Sequence, residues 1–349
     1  MAGPRKRVPK QYRQVHQLAF SPLFFQAAMS ARNMGVLRAL HDARTTGATP
    51  AEVAATASVP LYAARVLLEG CLAVELVALE AGRYRLTDAG QLWLFDRMTT
   101  VNANFVQDVC YAGASRLEAS LRSGRPEGLE VFGNWNTIYE GLTHLPPGVL
   151  DSWFAFDHYY SDGAFPRAFP QVFARHPRRL LDIGGNTGKW AVLCLGRDPD
   201  VEVTVLDHPG QLERLRAAVA AAGLDARLHT QEVDLLDPSS AFPTGFDVVW
   251  MSQLLDCFAE PDIARLLARG RAALAPDGRL CILEAFWDRQ TTDAGELILQ
   301  GLSLYFSCMA NGTSRMYHSQ DFLDLIAAAG LRVESDEAIG TSHTLLTCI

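Results

Sequence analysis

The sequence predicts an α/β protein: a doubly wound, mainly parallel sheet of seven strands, the last one reversed, behind a mainly helical region with a helix–turn–helix–wing pattern. Three observations lead there. From residue 179 onward, short β-rich runs alternate with helical ones. A glycine-rich turn follows the first of these strands, and an aspartate ends the second. Earlier parts of the chain instead show apolar residues at helical spacing and one short hairpin signal.

In chain order, residues 16–40 carry Leu18, Phe20, Leu23 and Phe24, then Met34, Val36, Leu37 and Leu40, all at helical spacing. In Thr49-Pro50-Ala51-Glu52, Thr49 can cap a helix, Pro50 suits its first turn and Glu52 favours its dipole. One helix from Ala51 to about Thr56 and a second from about Leu61 to Leu72 precede a two-stranded wing. Its strands are Leu76–Leu79 and Arg83–Thr87, around a turn at Ala81-Gly82. This order is a DNA-binding arrangement on its face. Yet the second helix offers one arginine, Arg65, and one glutamate, Glu69, amid apolar residues, where base reading needs several polar side chains. It is expected to be buried and to serve structure or dimerisation. The apolar run Leu18–Leu40 exceeds what a small domain can hide, which predicts a two-fold dimer with interlocked helices.

Residues 100–175 read as helical and aromatic-rich, with Phe105, Tyr139, Trp153, Phe156 and Tyr160 among them. Most of these rings are expected in the core, and some can wall a pocket for a flat apolar ligand. The Leu145-Pro146-Pro147-Gly148 break marks a seam, giving domains 1–150 and 151–349. Strands then follow at Leu180–Gly184, Val201–Asp207, Ala226–Leu228, Phe246–Trp250 and Leu280–Glu284. Helices alternate with them, and Arg332–Ser335 and Thr344–Ile349 form a closing pair.

With 349 residues, 49% hydrophobic and 20% charged, the chain suits two ordinary globular domains. A net charge of −8 argues against nucleic acid as the main partner. The basic cluster Arg5, Lys6, Arg7, Lys10 and Arg13 reads as a solvated terminus. No apolar run approaches the roughly 18 residues needed to cross a bilayer, and the first 30 residues lack the order of a signal peptide. Seven scattered cysteines form no metal-ligand spacing and point to a reducing, cytoplasmic setting.

The chemistry centres on Leu181-Asp182-Ile183-Gly184-Gly185-Asn186-Thr187-Gly188. Glycines at such a turn let the backbone approach a ligand and permit positive φ. Asp207 ends the next strand, 19 residues after Gly188, where a carboxylate can accept both hydroxyls of a ribose. Asp234, followed by Leu235, comes after the third strand and is placed to border an adenine. A nicotinamide enzyme expects a GxGxxG turn, whereas this one runs Asp-x-Gly-Gly-x-x-Gly.

Together with Ala275-Pro276-Asp277-Gly278-Arg279, these motifs resemble the class I S-adenosylmethionine-dependent methyltransferases with their Rossmann-like sheet. With the helical, winged N-terminal half, the whole chain resembles the small-molecule O-methyltransferases of plant phenolic and bacterial antibiotic or pigment pathways. The resemblance implies S-adenosyl-L-methionine as cofactor, held by Asp182, Gly184, Gly185, Gly188, Asp207, Asp234, Leu235 and Ser252. It also implies a homodimer, and a small, aromatic acceptor facing the cofactor's methyl group.

At the catalytic position the chain departs from that family, whose run after the fourth strand is leucine, histidine, aspartate, tryptophan. Here Asp256 takes the histidine position, Cys257 the aspartate position and Phe258 the tryptophan position. Ser252 stands where relatives often have a lysine. Glu284 keeps one of the two glutamates that orient the histidine, and Ser314 replaces the other. A phenol, pKa about 10, and a free aspartate, about 3.9, differ by roughly 6 units, or about 8 kcal/mol; histidine leaves only about 5 kcal/mol. Asp256 therefore needs desolvation to act as a base. Otherwise the acceptor arrives acidic, His158 serves as base, or positioning suffices. A helix cap for the Glu260–Leu274 region, or a polar residue at a strand end, is the structural alternative for Asp256, and Arg315 either binds an acceptor carboxylate or is structural.

The leading reading is methyl transfer to an oxygen, or less favourably a carbon, of a small aromatic or polyketide-like acceptor. Two others stand beside it: an enzyme that keeps the cofactor but decarboxylates or hydroxylates, and a ligand-sensing winged-helix regulator.

Overall fold

The computed structural model describes residues 9–349, so Arg5, Lys6 and Arg7 of the basic cluster lie outside the described residues. Arg13, from the same cluster, pairs with Glu75 at 2.8 Å. The chain forms two compact units, one ending at Asn104 and the other spanning Phe105–Ile349.

In the first unit the apolar N-terminal run is not one buried helix. Helix Lys10–Asn33 ends at Met34-Gly35, where Gly35 takes φ 77°, and a second helix covers Val36–Asp42. Only the later part enters the core, through Ala28, Met29, Ala31, Val36, Leu37 and Leu40; Leu18 and Leu23 remain 74% and 65% exposed. Helix Pro50–Ala57 starts as its sequence requires. Glu52 N donates to Thr49 Oγ1 at 3.3 Å and Thr49 N to Glu52 Oε2 at 2.7 Å. Helix Leu61–Ala73, expected to be buried, hides one face only. Its 3.6-residue period sends Ala64, Leu67, Leu68 and Cys71 inward and leaves Leu61, Tyr62 and Val66 exposed. Strands β1 (Val77–Glu80) and β2 (Arg83–Leu86) pair antiparallel. Ala81 and Gly82 between them both have positive φ, 48° and 80°, the turn that matches the twist of a tight hairpin.

The second unit begins with helical segments that include Pro147–Ser161 and Phe165–Val172. The double-proline break falls inside this unit and opens the first of these helices, Pro147 occupying its first turn. The compact units part at Asn104 instead of near residue 150, because Phe105, Leu142, Leu145 and Trp153 share one core with Tyr305, Phe306 and Met309.

The sheet consists of β3 (Arg179–Ile183), β4 (Glu202–Asp207), β5 (Leu228–Glu232), β6 (Phe246–Ser252), β7 (Leu274–Glu284), β8 (Val333–Ile339) and β9 (His343–Cys348). Their spatial order is β5-β4-β3-β6-β7-β9-β8, and β9 alone runs antiparallel to its neighbours, as expected of the last strand. β5 starts two residues later than the sequence implied. Residues Asp225–Arg227 form a tight turn, in which Arg227 donates to the carbonyls of Leu195 at 2.6 Å and Val201 at 2.8 Å.

Alternation along the strands divides the core into two layers. Leu180, Val203, Val205 and Trp250 meet helices Lys189–Arg197 and Pro209–Ala221 on one face, where Trp190 stacks on Trp250 at 4.2 Å. Leu181, Ile183, Val249, Met251 and Ile282 meet helices Glu260–Ala273 and Ser319–Ala328 on the other. Because helices cover both faces, ligands have access chiefly at the strand ends, and the order reverses between β3 and β6. No single helix among the described residues is long and apolar enough to cross a bilayer.

Candidate active site

The carboxyl ends of β3, β4, β5 and β6 lie side by side, so each sequence-predicted motif arrives at one rim of the sheet. Gly184 leaves β3 with φ 75° and donates its N–H to Leu206 O at 2.8 Å. A Cβ at Gly185 would stand 2.4 Å from Val205 Cγ1 and 3.0 Å from Asp182 Oδ2, so no larger residue fits. Gly188 opens helix Lys189–Arg197, leaving that helix's first N–H groups at the turn without a side-chain cap.

Two carboxyl groups stand against this turn. Asp182 is buried, its Oδ2 has no hydrogen-bond partner, and burial together with the charge of Asp207 pushes it up to about 8. Asp207 accepts from the N–H of Asn186 at 2.8 Å and of His208 at 2.7 Å, while burial still raises its pKa. Each of its oxygens takes one backbone bond and so keeps a lone pair for a further donor.

Asp234 is exposed after β5 and accepts from Leu236 N at 2.9 Å. Leu235 is half-buried, and its carbonyl receives Arg269 Nη1 at 2.8 Å. Ser252 ends β6 with its hydroxyl buried and without a partner.

Beyond Ser252 the backbone turns sharply, Gln253 having φ 47°, and a short helical turn spans Leu255–Cys257. This loop is fastened from several sides. Glu284 Oε1 accepts from Leu254 N at 3.0 Å and Leu255 N at 2.9 Å. Asn311 Nδ2 donates to Cys257 O at 2.8 Å and Ser314 Oγ at 2.7 Å, and the Tyr317 hydroxyl to Phe258 O at 2.6 Å. Glu284 therefore grips backbone, where the family resemblance implied a side-chain partner. Ser314, at the place of the second glutamate, joins the same tether through Asn311.

Asp256 sits in that fastened turn and does not cap a helix. The residue ahead of helix Glu260–Ala273 is Ala259, which makes no capping bond, and Asp256 lies three residues too early. The Cys257 thiol contacts its Oδ1 at 3.4 Å. Burial and, less strongly, the charge of Asp157 push Asp256 up to about 6. Burial and the nearby Asp256 raise Glu284 well above the usual carboxylate range. Burial likewise raises the Cys257 thiol, so it carries no activated thiolate.

His158 lies on helix Pro147–Ser161, its Nδ1 3.3 Å from Asp162 Oδ1 and its ring stacked with Phe154 at 5.8 Å. Its neighbour Asp157 faces the glycine turn, accepting from Asn186 Nδ2 at 2.8 Å. Sequence reasoning missed Asp157; only Asn186, inside the glycine run, carried a signal. Aromatic residues from distant segments gather in the same unit. Phe105 stacks on Phe156 at 4.1 Å, Tyr305 meets Phe105 edge-on at 4.9 Å, and Trp153 Nε1 donates to the Tyr305 hydroxyl at 3.0 Å. Arg315 pairs with Glu260 and Asp321 at 3.1 and 2.9 Å, which commits its guanidinium to protein carboxylates.

A Rossmann-like sheet with an Asp-led glycine turn and an acid ending the next strand defines a class I S-adenosylmethionine-dependent methyltransferase. Residues 170–332 match the O-methyltransferase domain and residues 12–84 a Dimerisation2-like domain. It is 24% identical to the L-tyrosine C(3)-methyltransferase of Streptomyces lavendulae over 96% of this chain and 91% of that protein. It is 26% identical to the 3-hydroxy-5-methyl-1-naphthoate 3-O-methyltransferase of Streptomyces sahachiroi, over 76% and 75% of the two chains. Among solved structures, the S-adenosylmethionine-dependent methyltransferase SibL in its apo form aligns over 96% of this chain and 98% of its own, with TM-score 0.70 and 25% identity.

The residues present fit that cofactor. The orphaned Asp182 oxygen and the raised Asp207 form an acidic rim suited to a cation, and the glycine turn leaves backbone space that a Cβ would fill.

Asp182 also makes the free protein sensitive to pH. Its folded pKa lies above the unfolded value of about 3.9, so the native state holds the extra proton and stability falls as pH rises from about 4 through about 8. Thermal unfolding of the cofactor-free protein across that range is expected to show a shallower decline in Asp182→Asn. An identical slope in both proteins would remove Asp182 as the cause.

Proposed function

We propose that the enzyme moves the methyl group of S-adenosylmethionine to the oxygen of a small aromatic or polyketide-like acceptor bearing an acidic hydroxyl, with Asp256 as the base. The carrying observation is the half-buried Asp256 carboxyl, pushed up to about 6, in a turn whose next residue, Cys257, packs on an aromatic cluster. At that value the mismatch with a phenol shrinks to about 4 units, or about 5.5 kcal/mol, close to the gap a histidine leaves.

In this reading Asp182, Gly184, Gly185 and Gly188 hold the methionine part of the cofactor and Asp207 the ribose. Asp234, Leu235 and Ser252 border the adenine. The bound cofactor supplies an electrophilic methyl on a sulfonium. Asp256 withdraws the acceptor's proton, Glu284 positions the turn that carries Asp256, and the aromatic cluster aligns the acceptor and excludes water. His158 is the other candidate base, its Nδ1 lying 3.3 Å from Asp162 Oδ1. Transfer to a ring carbon beside the hydroxyl is the second reading. It is favoured by the loss of the family's histidine and by likeness to a tyrosine C(3)-methyltransferase across 96% of the chain.

The exposed Tyr12, Val15, Leu18, Phe20 and Leu23 of helix Lys10–Asn33, within the segment matching a Dimerisation2-like domain, support a homodimer. The apolar exposed face of helix Leu61–Ala73 supports a structural winged helix in place of a DNA reader. Seven unpaired cysteines support a reducing, cytoplasmic setting.

Four measurements test these assignments. Asp207→Ala is expected to weaken S-adenosylhomocysteine binding by roughly 1.5–3 kcal/mol, the worth of a hydrogen bond to a charged group; unchanged calorimetric affinity would refute the ribose contact. Asp256→Asn is expected to slow the chemical step by roughly 10²–10⁴-fold with little change in cofactor affinity. Wild-type turnover, followed as stoichiometric S-adenosylhomocysteine release, is expected to rise with pH through about 6 as Asp256 ionises. Full activity in the asparagine variant would mean that the acceptor arrives ionised. In light scattering at micromolar concentration a dimer is expected, and a 38.2 kDa particle would exclude it.

A further inference from the structure

One residue of the glycine turn is held from three directions. Asn186, at φ 49°, is in the left-handed region, which costs a non-glycine residue free energy unless its surroundings enforce it. Its backbone N–H donates to Asp207 Oδ2 at 2.8 Å. Its side-chain oxygen accepts from Gln211 Nε2 at 2.9 Å, on the first turn of helix Pro209–Ala221. Its side-chain nitrogen donates to Asp157 Oδ2 at 2.8 Å, on helix Pro147–Ser161. The backbone bond orients the carboxylate read above as the ribose ligand, so whatever fixes Asn186 also fixes Asp207.

Of the two side-chain partners, Asp157 is the stronger clamp, because a carboxylate accepts a charge-assisted bond where Gln211 offers a neutral one. Asp157 also lies on the helix that sends Trp153 and Phe156 into the aromatic cluster. A single hydrogen bond thereby joins the helix that carries part of the aromatic cluster to the glycine turn. Burial opposes ionisation of Asp157, and the Asn186 amide offsets part of that cost.

We propose that Asp157 is a positioning residue for cofactor binding, acting through Asn186 to hold the glycine turn and Asp207 in their binding geometry. This rests on the methyltransferase reading of the site, and cofactor affinity separates the two. A wild-type protein that binds neither S-adenosylmethionine nor S-adenosylhomocysteine refutes that reading itself.

The test is a swap of the pair in the full-length chain, read by calorimetry with S-adenosylhomocysteine. Asn186→Asp keeps the acceptor for Gln211 but sets two carboxylates face to face, and affinity is expected to fall at least tenfold. Asp157→Asn keeps an oxygen toward the Asn186 amide and is expected to stay within threefold of wild type. The double variant Asp157→Asn/Asn186→Asp restores an amide-to-carboxylate bond with its direction reversed, and its affinity is expected to return to within threefold. Rescue of this kind does not arise from general damage to the fold. If the double variant binds as weakly as Asn186→Asp alone, Asp157 has no such role. Should Asn186→Asp not fold, Asp157→Ala carries the decision: a tenfold loss supports the clamp and unchanged affinity overturns it.

Discussion

Removing carboxyl groups from water without giving each a cation is the condition that shapes this protein's site. Asp182, Asp207, Asp157, Asp256 and Glu284 stand at or near the carboxyl ends of the central strands, and burial raises the pKa of every one of them. The fold tolerates this because most of these groups accept hydrogen bonds from fixed backbone or amide donors. Glu284 takes two backbone N–H groups, Asp207 takes two, and Asp157 takes a side-chain amide. Such bonds compensate part of the desolvation and lock the loops that supply the donors.

What remains uncompensated has a direction. Asp182 keeps an oxygen without a partner beside the glycine turn, so a cation arriving there meets a carboxyl group that gains by ionising. In the proposed mechanism the same physics serves a different end at Asp256. Carboxylates are poor bases toward phenols in water, and a dry setting makes one nearly as basic as imidazole. Replacing histidine by aspartate therefore need not abolish base catalysis, provided the surroundings stay apolar. The chain neighbours of Asp256 are apolar on both sides: Leu255 is buried in the core, and Cys257 packs on the cluster of Phe105, Trp153 and Tyr305.

The loop that carries Asp256 illustrates how a site survives the loss of its usual residues. Two positions that would orient a histidine side chain instead hold main chain, Glu284 directly and Ser314 through Asn311. The turn is thus rigid without any bond to the Asp256 carboxylate from either of them. The Cys257 thiol, a weak donor, contacts Asp256 Oδ1 at 3.4 Å.

Local sequence determined the elements and the cofactor turn. Period-2 and period-3.6 apolar patterns, Thr49 with Glu52, and the glycines after Asp182 each act over a few residues, so their consequences can be read along the chain. The C-terminal sheet, its reversed last strand and the positions of Asp207 and Asp234 followed from those signals. Tertiary structure decided everything that depends on which distant segments meet. The compact units part at Asn104 because Phe105 and Leu145 pack with Tyr305 and Met309, residues more than 150 positions away in sequence. Asp256 proved to be a half-buried side chain in a tight turn, not a helix cap, because Ala259 is the residue ahead of the helix and Glu284 holds the turn. Asp157 left no mark in the sequence at all, since an aspartate on a helix gains meaning only when folding sets Asn186 against it. Burial and the partner across space fix a carboxylate's charge, and both are properties of the folded chain.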